Sequence, residues 1–184
     1  MLIIISGPAG VGKNTIITEI LNKTDKIKLL QTCTTRPPRS TDKDMHNPYI
    51  YLTANEFEQK IKNGELFEHE QIHNNYYGML NISLKEVQKG DFHYIKDIGV
   101  LGQINIKKAL SGKVKVLSIF LTAPKEELIK RLQNRGDKDL QTRISRIDFE
   151  LSHAKNYDHV IENLNKDQTI QKILTIIHDF DNQV

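Results

Sequence analysis

Apolar positions change their spacing from segment to segment along the chain, and these changes predict strands and helices in alternation. The continuous apolar run Leu2 to Ile5 is typical of a strand that is covered on both faces, as in a parallel sheet. The spacing over Lys13 to Leu21 predicts a helix with one buried face. Strand-like or extended runs follow at 27–35, 92–98, 114–121 and 159–162, and helical patterns follow after 98, from Pro124, over 139–154 and around 170–177. The chain is therefore predicted to have an α/β fold, with helices on both sides of a parallel sheet and ligands at the carboxyl ends of its strands.

Two further helix starts are predicted from capping boxes, in which a Ser or Thr and a Glu three residues later bond reciprocally to backbone amides. Thr53 to Glu56 forms the first box, and its helix is expected to end at Gly64. Ser83 to Glu86 forms the second box, and its helix is expected to end at Gly90. The polar stretch Arg39 to Pro48 is the clearest loop, and we interpret it as part of a substrate flap.

A glycine-rich segment joins the first predicted strand to the first predicted helix. It matches the pattern G-x-x-x-x-G-K and consists of Gly7, Pro8, Ala9, Gly10, Val11, Gly12 and Lys13. Glycines allow successive backbone N–H groups to wrap around phosphates, and the start of a helix adds its dipole. Because Lys13 can bridge the outer phosphates of ATP, the segment predicts an ATP-binding loop. An ordinary tight turn between a strand and a helix is the alternative interpretation.

The residue after Lys13 departs from the strict pattern. Asn14 stands where a Ser or Thr normally supplies a hydroxyl group to Mg²⁺. The adjacent Thr15 is a candidate replacement, and water is another, because Mg²⁺ in such sites usually keeps several waters. Because either replacement can complete the site, Mg²⁺ stays the predicted cofactor, bound together with ATP.

Composition limits the classes of partner. The 184 residues fit one compact domain, and a formal charge of +3 is too small to indicate a nucleic-acid or membrane surface. The single cysteine, Cys33, cannot form an intramolecular disulfide, and the histidines lack metal-site spacing. The apolar run at the N-terminus is too short for a spanning helix and has no basic flank of a signal peptide. We expect a cytoplasmic monomer or homodimer without nucleic-acid or membrane partners.

The six arginines fall in two short clusters, whereas the lysines are scattered. Arg36 and Arg39 form the first cluster, in which two prolines stiffen the backbone. The second cluster flanks the polar segment 136–139 and consists of Arg131, Arg135, Arg143 and Arg146. Because guanidinium groups bind phosphate in a bidentate way, the clusters predict two phosphate sites, the second on a closing lid. Salt-bridged surface arginines are the alternative interpretation.

Taken in order, segments over nearly the whole chain resemble the guanylate kinase family. They are the glycine-rich loop, Thr32-Cys33-Thr34-Thr35-Arg36-Pro37-Pro38-Arg39, Tyr49, Gly64-Glu65-Leu66-Phe67-Glu68, Asn75-Tyr76-Tyr77-Gly78, Asp97-Ile98, Arg131-Leu132-Gln133-Asn134-Arg135-Gly136 and Asn163. The resemblance implies one domain over 1–184 with a P-loop NTPase-type parallel sheet and flanking helices. Within it, a core at 1–31 and 80–184 would carry a helical lid near 131–146, and 32–79 would form a small nucleoside monophosphate-binding subdomain.

The resemblance also implies ATP-dependent phosphoryl transfer to a nucleoside monophosphate, above all GMP. Lys13, Arg36, Arg39, Arg131 and Arg143 would form the catalytic set. Gly7 to Thr15, including Asn14, would bind ATP together with Arg135 and Asn163. Thr32, Arg36, Arg39, Tyr49, Glu68, Tyr77 and Asp97 would bind GMP, and Asp97 with Thr15 would contact the metal ion. A carboxylate at Glu68 facing two N–H donors would select guanine over adenine.

Besides Asn14, three positions depart from the family's pattern. Met79 replaces a small hydroxyl residue that donates to the guanine carbonyl, Gly99 replaces the second acid of an acid-Ile-acid strand end, and Leu101 replaces a glutamine. These changes remove polar groups that would contact the guanine base. Every residue that would contact a phosphate is kept. Two alternatives therefore stay open: a kinase of a related phosphorylated acceptor such as a ribose bisphosphate, and a catalytically weak binding module for phosphorylated peptides.

Overall fold

The strand Leu2–Ser6 lies at the centre of a five-stranded parallel sheet in a computed structural model, which describes residues 1–38, 48–72, 74–135 and 140–182. In chain order the elements are β1 (Leu2–Ser6), α1 (Lys13–Lys23), β2 (Ile27–Leu29), β3 (Thr32–Thr34), β4 (Tyr49–Tyr51), α2 (Ala54–Lys62), β5 (Leu66–Ile72), β6 (Asn75–Leu80), α3 (Asn81–Lys89), β7 (His93–Asp97), α4 (Val100–Leu110), β8 (Val116–Thr122), α5 (Lys125–Arg135), α6 (Leu140–Ser152), β9 (His159–Glu162) and α7 (Lys166–Asp181). The strand order of the large sheet is β2-β7-β1-β8-β9. The predicted α/β fold with a parallel sheet is confirmed.

Helices cover both faces of this sheet, which explains why β1 is apolar throughout. Ile3 and Ile5 pack in a core with residues of α1, α5, α6 and α7, whereas Leu2 and Ile4 pack on the opposite face with α3 and α4. Ile5 pairs with Asp97 at the carboxyl end of β7, so the loop that follows β1 begins beside Asp97. This edge of the sheet is where ligands are expected in a fold of this type.

A second sheet has four strands in the order β4-β3-β6-β5. The predicted extended run 27–35 is divided between the two sheets, because β2 joins the large sheet and β3 joins the small one. The hairpin of β5 and β6 did not follow from the apolar pattern, since one face of these strands is polar. The other face packs on α2 around the fully buried Phe57.

One of the two predicted capping boxes forms. The Thr53 hydroxyl accepts a bond from the Glu56 amide at 3.2 Å, and the Glu56 carboxylate accepts one from the Thr53 amide at 2.7 Å. The box at Ser83 is wrong, because α3 already begins at Asn81 and the Ser83 hydroxyl donates to the Gln31 carbonyl at 2.9 Å. None of the helices in the described ranges combines the length and the apolar character that a membrane crossing requires.

We expect Thr53→Ala to lower the free energy of unfolding by about 1 kcal/mol, because an amide at the start of α2 loses its cap. The matched control is Thr175→Ala, at an exposed position inside α7. This change improves helix propensity and is expected to be neutral or slightly stabilising. Urea unfolding of the three chains tests the difference, and equal effects of both substitutions would contradict the capping role.

Candidate functional site

The glycine-rich loop is held tightly against the end of the large sheet. Gly7 has φ 143°, and a Cβ atom there would lie 2.2 Å from the carbonyl oxygen of Leu121 on β8. Gly12, with φ 95°, is the left-handed residue from which α1 begins. At both positions the backbone conformation disfavours a side chain, and at Gly7 the space excludes one. The predicted loop between a strand and a helix thus has the backbone that phosphate-binding loops need.

Lys13 folds back over this loop. Its Nζ donates to the carbonyl oxygens of Gly7 at 2.6 Å and Pro8 at 3.2 Å. Burial lowers the pKa of Lys13, while the carboxylates of Glu150 and Asp97 act in the opposite direction. The positive charges of Arg143 and Arg135 lower the pKa of Lys13 further. The structure therefore brings the loop lysine together with residues of the second arginine cluster and with Asp97.

Glu150 of α6 is a member of this group that the sequence did not reveal. One of its carboxylate oxygens accepts a bond from the Ala9 amide at 3.3 Å, and the other lies 3.8 Å from Arg146 Nε. An amide of the loop therefore already faces an anionic oxygen. The only sequence signal was the spacing of four between Arg146 and Glu150, which is common on exposed helix faces.

Arg131 and Asn163 brace the loop from the side of α5. The Asn163 side chain is buried and donates to the Val11 carbonyl at 2.7 Å. The Arg131 guanidinium donates to the Asn163 carbonyl at 3.1 Å and to the Glu127 carboxylate at 2.7 Å. These contacts place both predicted residues beside the glycine-rich loop.

The predicted acceptor residues share one face of the small sheet. Thr32 pairs with Tyr49 across β3 and β4, and Tyr77 on β6 pairs with Glu70 on β5. Tyr77 also pairs with Thr34 of β3, which lies on the same face as Thr32 because it is two residues away. Residues that pair directly project to the same side, and Glu68 lies on the same face as Glu70 because it is two residues away. Strand pairing thus brings together side chains that are far apart along the chain.

Arg36 lies among the aromatic residues of this face. Its guanidinium carbon is 5.3 Å from the ring centroid of Tyr49 and 5.9 Å from that of Tyr51. The rings of Tyr49 and Tyr77 are 6.0 Å apart. The Tyr49 hydroxyl lies 3.5 Å from a carboxylate oxygen of Asp97. Tyr51 was not among the predicted residues.

Lys96 is the second residue that sequence reasoning missed. Its side chain is 1% exposed, donates to the Pro48 carbonyl at 2.8 Å and lies 3.9 Å from the ring centroid of Tyr49. Its Nζ is 3.6 Å from the other carboxylate oxygen of Asp97. A lysine inside an apolar strand run gave no signal beyond its position next to Asp97.

Asp97 lies between the two groups of residues. It contacts Tyr49 on the acceptor side and interacts electrostatically with Lys13 on the loop side. Its Oδ1 atom is buried and accepts no hydrogen bond within the part of the chain that the structure describes. The described ranges contain no cluster of three or more His, Cys, Asp or Glu that could hold a metal ion. Asp97, with the exposed Thr15 near the start of α1, fits an ion that is held mainly by phosphates and water.

Glu68 occupies a buried part of the acceptor face. Its Oε1 atom is inaccessible and has no hydrogen-bond partner among the described residues. Burial raises the pKa of Glu68 to about 7, and the nearby Glu70 adds to this shift. The Met79 side chain opposite Glu68 packs in the apolar core with Leu2 and Ile4, whereas Leu101 is exposed. Arg39, nearly all of the predicted loop Arg39 to Pro48 and the segment 136–139 lie outside the described residues.

Comparisons with known proteins agree with one family over nearly the whole chain. The family model for guanylate kinase matches residues 1–180. The chain is 39% identical over 181 residues to a guanylate kinase of Prochlorococcus marinus subsp. pastoris, covering 96% of each sequence. It is 37% identical over 183 residues to a guanylate kinase of Chlorobium chlorochromatii, covering 97% of this chain and 95% of the relative. The crystal structure of guanylate kinase from Anaplasma phagocytophilum has the same fold, with a TM-score of 0.78 and 24% identity, covering 100% of this chain and 87% of that chain.

We expect Glu68→Gln to stabilise the folded chain more at about pH 8 than at about pH 5. Burial raises the pKa of Glu68 in the folded state to about 7, whereas the unfolded chain has its ordinary value near 4.5. The folded state keeps the proton to higher pH, so the stability of the parent chain falls as pH rises between these values. Glutamine avoids this loss because it carries no charge. Thermal unfolding midpoints at both pH values test the expectation.

The control is Glu65→Gln, because hydrogen bonds from Lys60 and then Asn63 lower the pKa of Glu65. The stabilising contribution of that carboxylate is present at neutral pH and is lost as pH falls, so the sign is opposite. A gain at about pH 8 in both variants, or in neither, would contradict the assignment for Glu68.

Proposed function

The chain belongs to the guanylate kinase family, and we propose that its two facing groups of residues bind the substrates of that reaction. The enzyme transfers the terminal phosphoryl group of ATP to GMP, which yields ADP and GDP. One observation carries the assignment of the sites: Asp97 contacts Tyr49 of the acceptor group and interacts with Lys13 of the phosphate-binding loop. Donor and acceptor phosphates bound to the two groups would therefore meet beside Asp97.

On the donor side, the loop from Gly7 to Thr15 would hold the phosphates of ATP, with Lys13 on the outer ones. Support comes from the left-handed glycines and from the Ala9 amide, which donates to a carboxylate oxygen. Arg131 and Asn163 would fix the loop against α5, and Arg135 and Arg143 would add positive charge close to Lys13. Such charge stabilises the transferring phosphoryl group.

On the acceptor side, Arg36, Arg39, Tyr49 and Tyr77 would hold the phosphate of GMP. Arg36 lies against the ring of Tyr49, which limits the directions in which the guanidinium can point. An oxygen of the acceptor phosphate is already anionic, so the reaction needs no general base. The residues would act by alignment and charge neutralisation.

At the base, Glu68 would accept the ring N–H and an amino N–H of guanine, and Thr32 would assist. A buried carboxylate oxygen without a protein partner among the described residues is suited to these donors, because leaving it unpaired is costly. Adenine has no such pair of donors on the corresponding edge. Met79 packs in the apolar core, so the lost hydroxyl donor is not replaced at this position.

Mg²⁺ fits the donor side and would neutralise charge on the phosphates of ATP. Thr15 near the start of α1 and Asp97 at the end of β7 are the residues that would hold it, in part through water. The proposed core at 1–31 and 80–184, acceptor subdomain at 32–79 and lid near 131–146 complete the scheme. A cytoplasmic location and a monomeric or dimeric state remain proposals.

Turnover with a panel of acceptors tests the substrate assignment. ADP release from ATP is measured with GMP, dGMP, AMP, UMP, CMP and a ribose bisphosphate. We expect the highest kcat/KM with GMP, and a loss of at least about tenfold for GMP in Glu68→Ala, since two charge-assisted hydrogen bonds disappear. Equal or greater turnover of the ribose bisphosphate would overturn the base assignment. If no acceptor is used, binding of phosphorylated peptides tests the alternative of a binding module.

Tyr77→Phe tests the acceptor phosphate site. Loss of a hydroxyl that donates to a phosphate is expected to raise KM for GMP about tenfold or more, with little change in KM for ATP. The matched control is Tyr76→Phe, because the adjacent Tyr76 ring stacks on Phe57 in the core at 5.2 Å between centroids. Equal kinetic effects of the two substitutions would argue against a phosphate contact at Tyr77.

A further inference from the structure

The start of α4 is built around two carboxylates that come from β5. Gly99 is the N-cap residue of α4 and supplies no side-chain bond to the helix. A Cβ atom at Gly99 would lie 2.5 Å from Glu70 Oε2, so the Glu70 carboxylate occupies the space of the missing side chain. The Gly102 amide also acts on this carboxylate and lowers its pKa. This is the amide that would bond to an acidic N-cap residue at position 99.

Glu68 approaches the same turn of the helix. A Cβ atom at Gly102 would lie 2.9 Å from Glu68 Oε1. Glycine at 99 and at 102 thus makes room for Glu70 and Glu68 respectively. Because the two glutamates are two residues apart on a strand, both carboxylates project from the acceptor face of the small sheet.

Burying two neighbouring carboxylates costs free energy unless hydrogen-bond donors contact their oxygen atoms. Burial raises the pKa of both Glu68 and Glu70. The charge of Glu70 adds to the shift at Glu68, whereas the Gly102 amide and the Arg146 charge offset part of the shift at Glu70. Glu68 Oε1 is buried without a hydrogen-bond partner among the described residues. A structural cap for α4 explains the position of Glu70, but it does not explain a second buried carboxylate beside it. The pair matches a ligand edge that offers several N–H donors.

Building on the proposed function, we propose that Glu70 is a specificity-determining residue that accepts the second N–H of the guanine 2-amino group, beside Glu68. The guanine edge has three N–H donors, one on the ring and two on the amino group. A single carboxylate accepts two of them in parallel, which leaves one amino N–H unpaired in a buried pocket. Glu70 supplies the third acceptor from β5, in the space where Gly99 departs from the acid expected at that position.

The test compares GMP with IMP, which keeps the ring N–H and lacks the 2-amino group. Values of kcat/KM are measured for both acceptors in the parent chain, Glu70→Ala, Gly99→Asp and the double variant Glu70→Ala with Gly99→Asp. We expect the preference for GMP over IMP to fall about tenfold or more in Glu70→Ala, with little change for IMP. Gly99→Asp alone should impair both acceptors, because its side chain meets the Glu70 carboxylate. The double variant should regain most of the preference, because Asp at 99 then supplies the acid.

A purely structural role for Glu70 predicts another pattern. If it only caps α4, GMP and IMP lose efficiency together in Glu70→Ala and their ratio stays constant, which would overturn the inference. Glu70→Gln keeps an acceptor for the Gly102 amide, so it serves if the alanine variant does not fold. It should still reduce the GMP preference, and an unchanged ratio would count against the proposal.

The control Glu65→Gln removes a carboxylate near β5 that pairs with Lys60 at 2.8 Å, and it should leave the ratio unchanged. Different results would refute the role of Glu70 and the assignment of GMP as acceptor. A parent chain that uses GMP while Glu70→Ala keeps its preference refutes only the role of Glu70. A parent chain that phosphorylates neither GMP nor IMP overturns the acceptor assignment, and the role of Glu70 with it.

Discussion

The contact between the glycine-rich loop and the end of the parallel sheet is the constraint on which the site depends. Gly7 lies so close to the Leu121 carbonyl that no side chain fits, and the Asn163 side chain holds the Val11 carbonyl from the other flank. Lys13 closes the loop by donating to two of its carbonyls. Since these bonds lie within the protein, the loop is shaped by the fold itself, and a phosphate that binds there has little ordering cost to overcome.

Charge of both signs is concentrated at this edge of the sheet. Lys13 is partly buried, which disfavours its charge, and the carboxylates of Glu150 and Asp97 offset part of that effect. On the acceptor side the cations of Arg36 and Lys96 rest on the ring of Tyr49. Lys96 also lies 3.6 Å from a carboxylate oxygen of Asp97, so an aromatic face and an acid together hold this cation in the site. The fold thus gathers positive charge in a protein whose net charge is only +3.

Departures from a family pattern have a different meaning once neighbours are known. Gly99 looks like the loss of an acid when the sequence is read alone, yet a carboxylate from β5 fills its space. Met79 looks like the loss of a polar contact, and the structure shows its side chain packed with Leu2 and Ile4. The sequence shows which side chain of the family pattern is missing at each position. The structure shows which other side chain occupies that space.

The sequence by itself determined the parallel sheet, its flanking helices and the glycine-rich loop, because apolar periodicity and glycine spacing are local signals that do not need a partner strand. It also indicated the cap at Thr53, where both bonding residues lie within four positions, although the similar string at Ser83 bonds elsewhere. The hairpin of β5 and β6, the contacts of Lys96 and Glu150, and the approach of Glu70 to Gly99 came only from the tertiary structure. Each of them joins residues on different elements. The local sequence around a polar strand face or a buried charge does not indicate which distant residue it contacts.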